Sequence, residues 1–345
     1  MARYDFASDN VAGAMPEVWE ALAACNGGFA AGYGDDRTCA RAADLIRALL
    51  DVDAEVRFAA SGTAANAICL AALAAPHEAV LAHQHSHVAT DETGAPGFFG
   101  AGLAIIPLPG RSGRIDPAAL AHALDRPDEP HWQSPAALSI TNATEYGAVY
   151  SPGVLADAIG AAKAKGLRIH LDGARLANAV AAGFDPRDLP RLGVDLLVLG
   201  GTKAGSTPTE AIVIIEKNLS RRFGARLKHG GQLISKARFL AAPWIGMLES
   251  GAWSRRAVHA NAMARRLAEA MPFEITHPVE ANAVFVRMDE AALDRLKASG
   301  WFVYRFIDAS VRFMCSWSTT AQAIDDLAGD LQTAFREERS QAPSR

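Results

Sequence analysis

From about residue 55 to 216 the chain alternates short, apolar, β-rich runs with helical stretches, and this alternation constrains the fold more than any other feature. Val56–Ala59, Ala79–His83, Leu103–Leu108, Ala137–Asn142, Leu167–Leu171, Asp195–Leu199 and Ala211–Ile215 read as strands. Helical patterns fall between them: Ala64–Ala75, a stretch opened by Asp116-Pro117 and ending near Leu124, and one opened by Ser151-Pro152 and stopped by Gly166. An Asp or Ser N-cap followed by proline is a helix start, and a glycine just beyond the last turn is a helix stop. Strands that are apolar throughout, rather than on alternate residues, must be covered on both faces. The expected fold is therefore α/β, with a mainly parallel sheet between two layers of helices.

Beyond residue 216 the pattern changes. A long helix from about Trp253 to Met271 precedes a strand at Ala283–Arg287, a helix from Glu290 to Ser299, strands at Phe302–Phe306 and Val311–Cys315, and a last helix from Thr320 to about Glu338. This mix reads as a smaller α+β domain. The expected division is an N-terminal segment (1–20) packing with the small domain, a large domain (21–245) and the small C-terminal domain (246–345), with a disordered tail at Gln341–Arg345. With 345 residues, 50% hydrophobic and 21% charged, the chain has enough apolar material for such cores.

A formal net charge of −4 and the lack of any basic concentration larger than Arg221, Arg222, Arg226 and Lys228 speak against nucleic acid as a partner. No apolar run reaches the roughly 18 residues that span a bilayer, and Met1–Asn10 lacks the apolar centre of a signal peptide, so no membrane association is expected. The cysteines at 25, 39, 69 and 315 have no C-x-x-C spacing; free thiols suit a reducing compartment, and the expected location is the cytoplasm.

Ligands of open α/β sheets bind at the carboxyl ends of the strands, so the residues that follow each run are the candidates. Ser61-Gly62-Thr63 follows the first, His85 and His87 the second, Asp172-Gly-Ala-Arg175 the fifth, and Gly200-Gly-Thr-Lys203 the sixth. A glycine turn opening a helix presents free N–H groups and a positive dipole end to a phosphate, although Ser and Thr also cap helices for purely structural reasons. A Schiff-base lysine needs a dry pocket and small neighbours, because only the free amine is nucleophilic. Of seven lysines, Lys203 alone follows a wholly apolar run and is flanked by Gly200, Gly201 and Gly205. The residue before it is Thr202, which excludes a P-loop. Asp172 is placed to keep a pyridine nitrogen protonated, so that the ring draws electrons; Asp-Gly is also ordinary turn chemistry. Phosphate cradle, imidazole, carboxylate and amine together match pyridoxal phosphate. His83, His85 and His87 alternate and would share a face on an extended strand, which raises a metal reading; no further ligands follow at suitable spacing, and no metal is expected.

With these residues aligned, the chain resembles the low-specificity L-threonine aldolase family of pyridoxal-phosphate enzymes, close to the phenylserine aldolases. The resemblance runs from Phe6-Ala-Ser-Asp9 to Val311–Trp317. It is carried by Tyr33-Gly-Asp-Asp36, Asn66, His87–Glu92, Asp172–Arg175, Gly200–Lys203 and Lys228-His-Gly-Gly-Gln232. It implies a transferase-like (fold type I) large domain and a carbon–carbon lyase acting on threonine or related β-hydroxy amino acids. It implies that Lys203 carries the cofactor, with Ser61, Gly62 and Thr63 at the phosphate, Asp172 at the ring nitrogen, Arg175 near the ring oxygen and substrate, and His87 stacked on the ring. Ser8 and Arg312 would bind the substrate carboxylate. Tyr33 and Lys228 would reach a neighbouring subunit's site, making a homo-oligomer. His87, directly or through water, is the expected base for the β-hydroxyl. Where many relatives carry a second histidine this chain reads Thr144-Glu145-Tyr146-Gly147, and His85 has no family role. The alternatives are another pyridoxal-phosphate lyase (β-elimination), a serine-hydroxymethyltransferase-like reaction, a nicotinamide oxidoreductase, or a scaffold without catalysis. No G-x-G-x-x-G follows the first strand, which counts against the oxidoreductase.

Overall fold

A computed structural model describes residues 2–127 and 129–341. Twelve strands run in chain order: β1 (Glu55–Ala59), β2 (Glu78–His83), β3 (Ala104–Leu108), β4 (Gly110–Arg111), β5 (Arg114–Ile115), β6 (Ser134–Thr141), β7 (Arg168–Gly173), β8 (Leu196–Gly200), β9 (Glu210–Ile214), β10 (Ala283–Val286), β11 (Tyr304–Arg305) and β12 (Val311–Met314). Seven of them form the large sheet, in the order β1-β9-β8-β7-β6-β2-β3. The pairs β3/β2, β2/β6, β6/β7 and β7/β8 are parallel. Only β9 runs against its neighbours, antiparallel to both β8 and β1.

Both faces of the sheet are apolar, and the two-residue period of the strands divides them cleanly. Leu197 and Leu199 of β8, with Ile169 and Leu171 of β7, point into one core beneath the helices Pro152–Ala164 and Leu176–Ala181. Leu196 and Val198, with Val80 and Ala82 of β2, point into the other, against the helix Gly62–Leu73. That helix buries eight of its twelve residues and has almost no polar face, as a helix lying on the middle of a sheet must.

A three-stranded antiparallel sheet, β10-β12-β11, carries a separate core containing Val284, Leu293, Trp301, Phe313, Ile324 and Leu327. The strand expected over 302–306 shortens to Tyr304–Arg305, because residues 306–310 form a tight turn closed by Phe306 N–H donating to the Ser310 carbonyl (2.7 Å). The N-terminal segment crosses between the two sheets. Phe302 N–H donates to the Arg3 carbonyl (2.7 Å) and Met314 N–H to that of Phe6 (2.9 Å), while Met15 N–H donates to Gly205 in the loop after β8 (2.9 Å). Of the expected tail, Gln341 ends the last helix (Ala321–Gln341), and residues 342–345 lie outside the described residues. Among the described residues no helix is long and apolar enough to cross a membrane.

The three alternating histidines do not share a strand face. β2 ends at His83, and a turn (Ser86 N–H to the His83 carbonyl, 2.9 Å) carries the chain out of the sheet, so that His87 begins a short helix. No cluster of three or more metal-ligating side chains occurs among the described residues.

The loop after β8 packs against the loop after β7 without clearance. A Cβ added at Gly200 would lie 2.3 Å from the Ala174 carbonyl oxygen, so the backbones would have to part. Gly200→Ala should therefore lower stability by roughly 1–3 kcal/mol, the usual range for overpacking. The check is a lower urea midpoint at unchanged denaturant slope.

Candidate active site

The carboxyl ends of β1, β2, β6, β7 and β8 meet around two adjoining cavities of about 420 and 220 Å³. Lys203, His87 and Asn10 line both. The smaller one adds Ser61, Gly62, Thr63 and Asp172, and the larger adds Ser8, Arg175, Arg312 and Glu145.

Lys203 sits on the single 3-10 turn Thr202–Ala204 between β8 and β9. Among the described residues its amine makes no ion pair or hydrogen bond. Burial pushes its pKa down, and the nearby Arg175 guanidinium pushes the same way. Both favour the free amine that a Schiff base requires.

Asp172 ends β7 and is 3% exposed. Its oxygens accept from the Asn66 side-chain amide (2.9 Å) and the Ala174 N–H (2.9 Å). Asn66, one turn into the helix Gly62–Leu73, also donates to Glu92 (2.9 Å), and Glu92 takes the His87 Nδ1 contact at 2.9 Å. One amide thus ties together two buried carboxylates that would otherwise repel. The Glu92 contact raises the pKa of His87 against its partial burial, and burial raises that of Glu92. His87 is therefore anchored from behind through Nδ1.

Ser61 caps the helix Gly62–Leu73, its hydroxyl accepting from Ala64 N–H (3.3 Å). A Cβ added at Gly62 would meet nothing within 4 Å, so open space stands before the helix N-terminus, on the wall of the smaller cavity. Helix N–H groups facing vacant space beside a buried amine fit a phosphate-bearing aldehyde cofactor. So does a buried carboxylate fixed at the end of the adjacent strand.

The larger cavity is cationic. Arg175 donates through Nε to Asp9 Oδ2 (2.7 Å) and through Nη2 to Asp9 Oδ1 (2.9 Å). Its bidentate partner is thus the N-terminal segment, while its remaining surface faces the cavity. Arg312, on β12, donates through Nη2 to the Ala7 carbonyl (3.3 Å) and to the Tyr304 hydroxyl, and its buried Nε has no partner. Ser8 stands at the cavity edge, its hydroxyl accepting from Asn10 N–H (3.2 Å). Tyr33 and Lys228 line neither cavity. They stack on one another, with the Lys228 amine 4.9 Å from the ring centre.

Four functional positions carry no role in the sequence reading: Asp9, Glu92, Glu210 and Asn282. Asp9 and Glu92 lie inside quoted motifs, but a buried carboxylate is recognisable only by its partners. Glu210, on β9, accepts from Gly201 N–H (2.9 Å), and burial pushes its pKa up to about 7. Asn282 donates to Asp9 (3.1 Å) from the small domain's side.

Among the described residues no serine or cysteine lining these cavities is hydrogen-bonded to an activating base, and the fold and donor set are those of a pyridoxal-phosphate enzyme. The family description "Beta-eliminating lyase" matches residues 5–291. The chain is 43% identical over 337 residues to a low specificity L-threonine aldolase of a Pseudomonas species, covering 96% of this chain and 97% of the relative. It is equally identical, over 334 residues, to a protein of that name from Pseudomonas aeruginosa, covering 95% and 96%. A threonine aldolase structure from Leishmania major superposes with a TM-score of 0.89 at 29% identity, covering 97% of this chain and 99% of that one. The chain belongs to the beta-eliminating lyase family, within its low-specificity L-threonine aldolase branch.

Two outcomes follow from this geometry. Gly62→Ala should fold normally, since its Cβ meets nothing, but should weaken pyridoxal-phosphate binding about tenfold, or roughly 1.4 kcal/mol, as read by equilibrium dialysis. Asp9 is pushed up by burial yet held down by Arg175, reaching about 2. A carboxyl depressed on folding stabilises above its ordinary pKa and loses that contribution as pH falls through the folded value. Asp9→Asn should cost about 3–5 kcal/mol at neutral pH by leaving Arg175 buried and unpaired. The deficit should shrink between pH 4 and 2 in urea titrations, as the wild type loses its own pair.

Proposed function

We propose that this enzyme cleaves β-hydroxy-α-amino acids (L-threonine, L-allo-threonine or phenylserine) to glycine and an aldehyde by a retro-aldol reaction. The observation that carries this reading is one cavity lined by both Lys203 and Arg312, whose guanidinium has no carboxylate partner among the described residues. An amino acid would thus have its carboxylate bound a short reach from the cofactor-bearing lysine. The relatives' printed names support the same reading.

In the roles we assign, Lys203 binds the cofactor covalently and Gly62 and Thr63 hold its phosphate. Asp172 would accept a hydrogen bond from the protonated ring nitrogen, and His87 would stand beside the ring. Bound pyridoxal phosphate supplies the electron sink for the pair released when Cα–Cβ breaks. Arg312 and Ser8 hold the carboxylate, which orients the Cα–Cβ bond for cleavage. Arg175, steadied by Asp9, adds positive charge beside the substrate.

We further assign residues 21–245 and 246–345 to the large and small domains, on the strength of their separate cores. We place the active form in a homo-oligomer, with Tyr33 and Lys228 exposed for a neighbouring subunit's site. The four unpaired cysteines favour the cytoplasm.

The family description keeps β-elimination as the second reading; its products would be pyruvate and ammonia. The experiment is to purify the protein, record its visible spectrum, and offer the three substrates separately. A yellow protein that releases aldehyde and glycine is expected, and Lys203→Ala should lose both the borohydride-trapped label and turnover. A colourless protein that pyridoxal phosphate does not colour would overturn the cofactor assignment, and pyruvate in place of aldehyde would move the chain to elimination.

A further inference from the structure

Retro-aldol cleavage needs a group that takes the β-hydroxyl proton, and the proton acceptors around the larger cavity differ in how committed they are. His87 uses Nδ1 on the buried Glu92 and turns Nε2 toward Asp91 (3.6 Å). A carboxylate on each side favours the imidazolium, so this ring holds a proton rather than seeking one. His85 Nδ1 lies 2.6 Å from the Tyr146 hydroxyl. The phenol is buried and, among the described residues, this is its one hydrogen-bond partner, so this ring nitrogen is already engaged. The Asp91 side chain is 79% exposed and solvated.

Glu145 differs from all of these. It follows β6, and its Oε1 accepts from His87 N–H (2.8 Å) and from the Thr141 hydroxyl (3.1 Å), which fixes the carboxyl plane. Its Oε2 is buried without a hydrogen-bond partner, and the residue lines the same cavity as Lys203 and Arg312. A desolvated carboxylate oxygen with vacant lone pairs, on a residue that lines the cavity and within a small side-chain rotation of it, is a stronger base than a solvated one.

We propose that Glu145, through Oε2, accepts the β-hydroxyl proton of the substrate. This rests on the retro-aldol reading above. The O–H pair becomes the second bond of the aldehyde carbonyl. The Cα–Cβ bond breaks with its electron pair going to the Cα side, where the bound cofactor accommodates it. A proton then returns to Cα to give glycine, so the reaction consumes no oxidant, reductant or net proton.

Burial raises the pKa of Glu145, and Asp172 raises it further, while the His87 N–H and Thr141 contacts oppose both. The other charged or titratable groups around it are Arg175, Lys203, His85, Tyr146 and Tyr150. The active, ionised form is therefore lost on acidification at a pH above the usual carboxylate range, which gives kcat/KM an acid limb.

The test is Glu145→Gln, whose Oε1 still accepts from His87 and Thr141. The expected result is a fall in kcat for L-threonine cleavage of tenfold or more, about hundredfold on the usual scale of such groups, with loss of the acid limb. Exchange of the glycine α-proton in deuterium oxide, which needs no β-hydroxyl base, should stay within about threefold of wild type on the same scale. Pyridoxal-phosphate absorbance and melting temperature should be unchanged. Cleavage retained to within tenfold, or glycine exchange lost in parallel, would overturn the proposal. Should the Gln chain fail to fold, Thr141→Val decides. Removing that hydrogen bond must move the acid limb to higher pH, and an unmoved limb overturns the assignment. A wild type that exchanges glycine but releases no aldehyde defeats the retro-aldol reading itself. An active wild type with an active Gln variant defeats the Glu145 assignment alone.

Discussion

Nine residues separate the end of β8 from the start of β9, and the active site depends on that shortness. A parallel return needs a crossover of about a dozen residues or more, so β9 comes back antiparallel. The turn between them stays at the carboxyl edge of the sheet, with Lys203 on it. Gly200 and Gly201 let the turn lie against the loops around it, since a Cβ at either would strike backbone (Ala174 or Thr209) within 2.5 Å. The lysine is thus positioned by the hydrogen-bonded backbone of its turn, and among the described residues its amine has no hydrogen-bond partner, which leaves it available for covalent chemistry.

Around this fixed amine the charges are arranged in two groups. On the cofactor side, Asp172 and Glu92 are buried close together, and the Asn66 amide donates one hydrogen to each. Replacing that amide with an apolar group would leave two desolvated carboxylates facing each other, a costly arrangement in a medium of low dielectric. On the substrate side, Arg175 and Arg312 supply positive charge. Only Arg175 has a carboxylate partner, which leaves Arg312 the better placed of the two to meet an incoming carboxylate.

The N-terminal segment joins these groups. It hydrogen-bonds to the region of the three-stranded sheet through Arg3 and Phe6, sends Asp9 into the buried pair with Arg175, and is tied by Met15 to the loop that carries Lys203. Asn282 reaches the same Asp9 from the small domain. One buried carboxylate is therefore shared by three parts of the chain. Movement of the three-stranded sheet relative to the seven-stranded one would be felt directly at Arg175 and Arg312.

The sequence by itself determined the α/β layering, because apolar runs with no polar alternation can be buried only between two helical layers. It also singled out Lys203 as the candidate cofactor lysine, because Lys203 alone combined an apolar strand with flanking glycines, and the carboxylate, glycine turn and imidazole brought near it were read from strand ends. Local spacing is enough for these, since each is set by residues adjacent in the chain. Only the tertiary structure decided the direction of β9, the separation of the three histidines, and the partner of Arg175, which lies 166 positions away. It alone distinguished Glu145, with one oxygen tied and the other unpartnered, from the imidazoles on either side. A side chain's basicity depends on which atoms desolvate it and which donors reach it, and those neighbours come from strands and loops far apart in sequence.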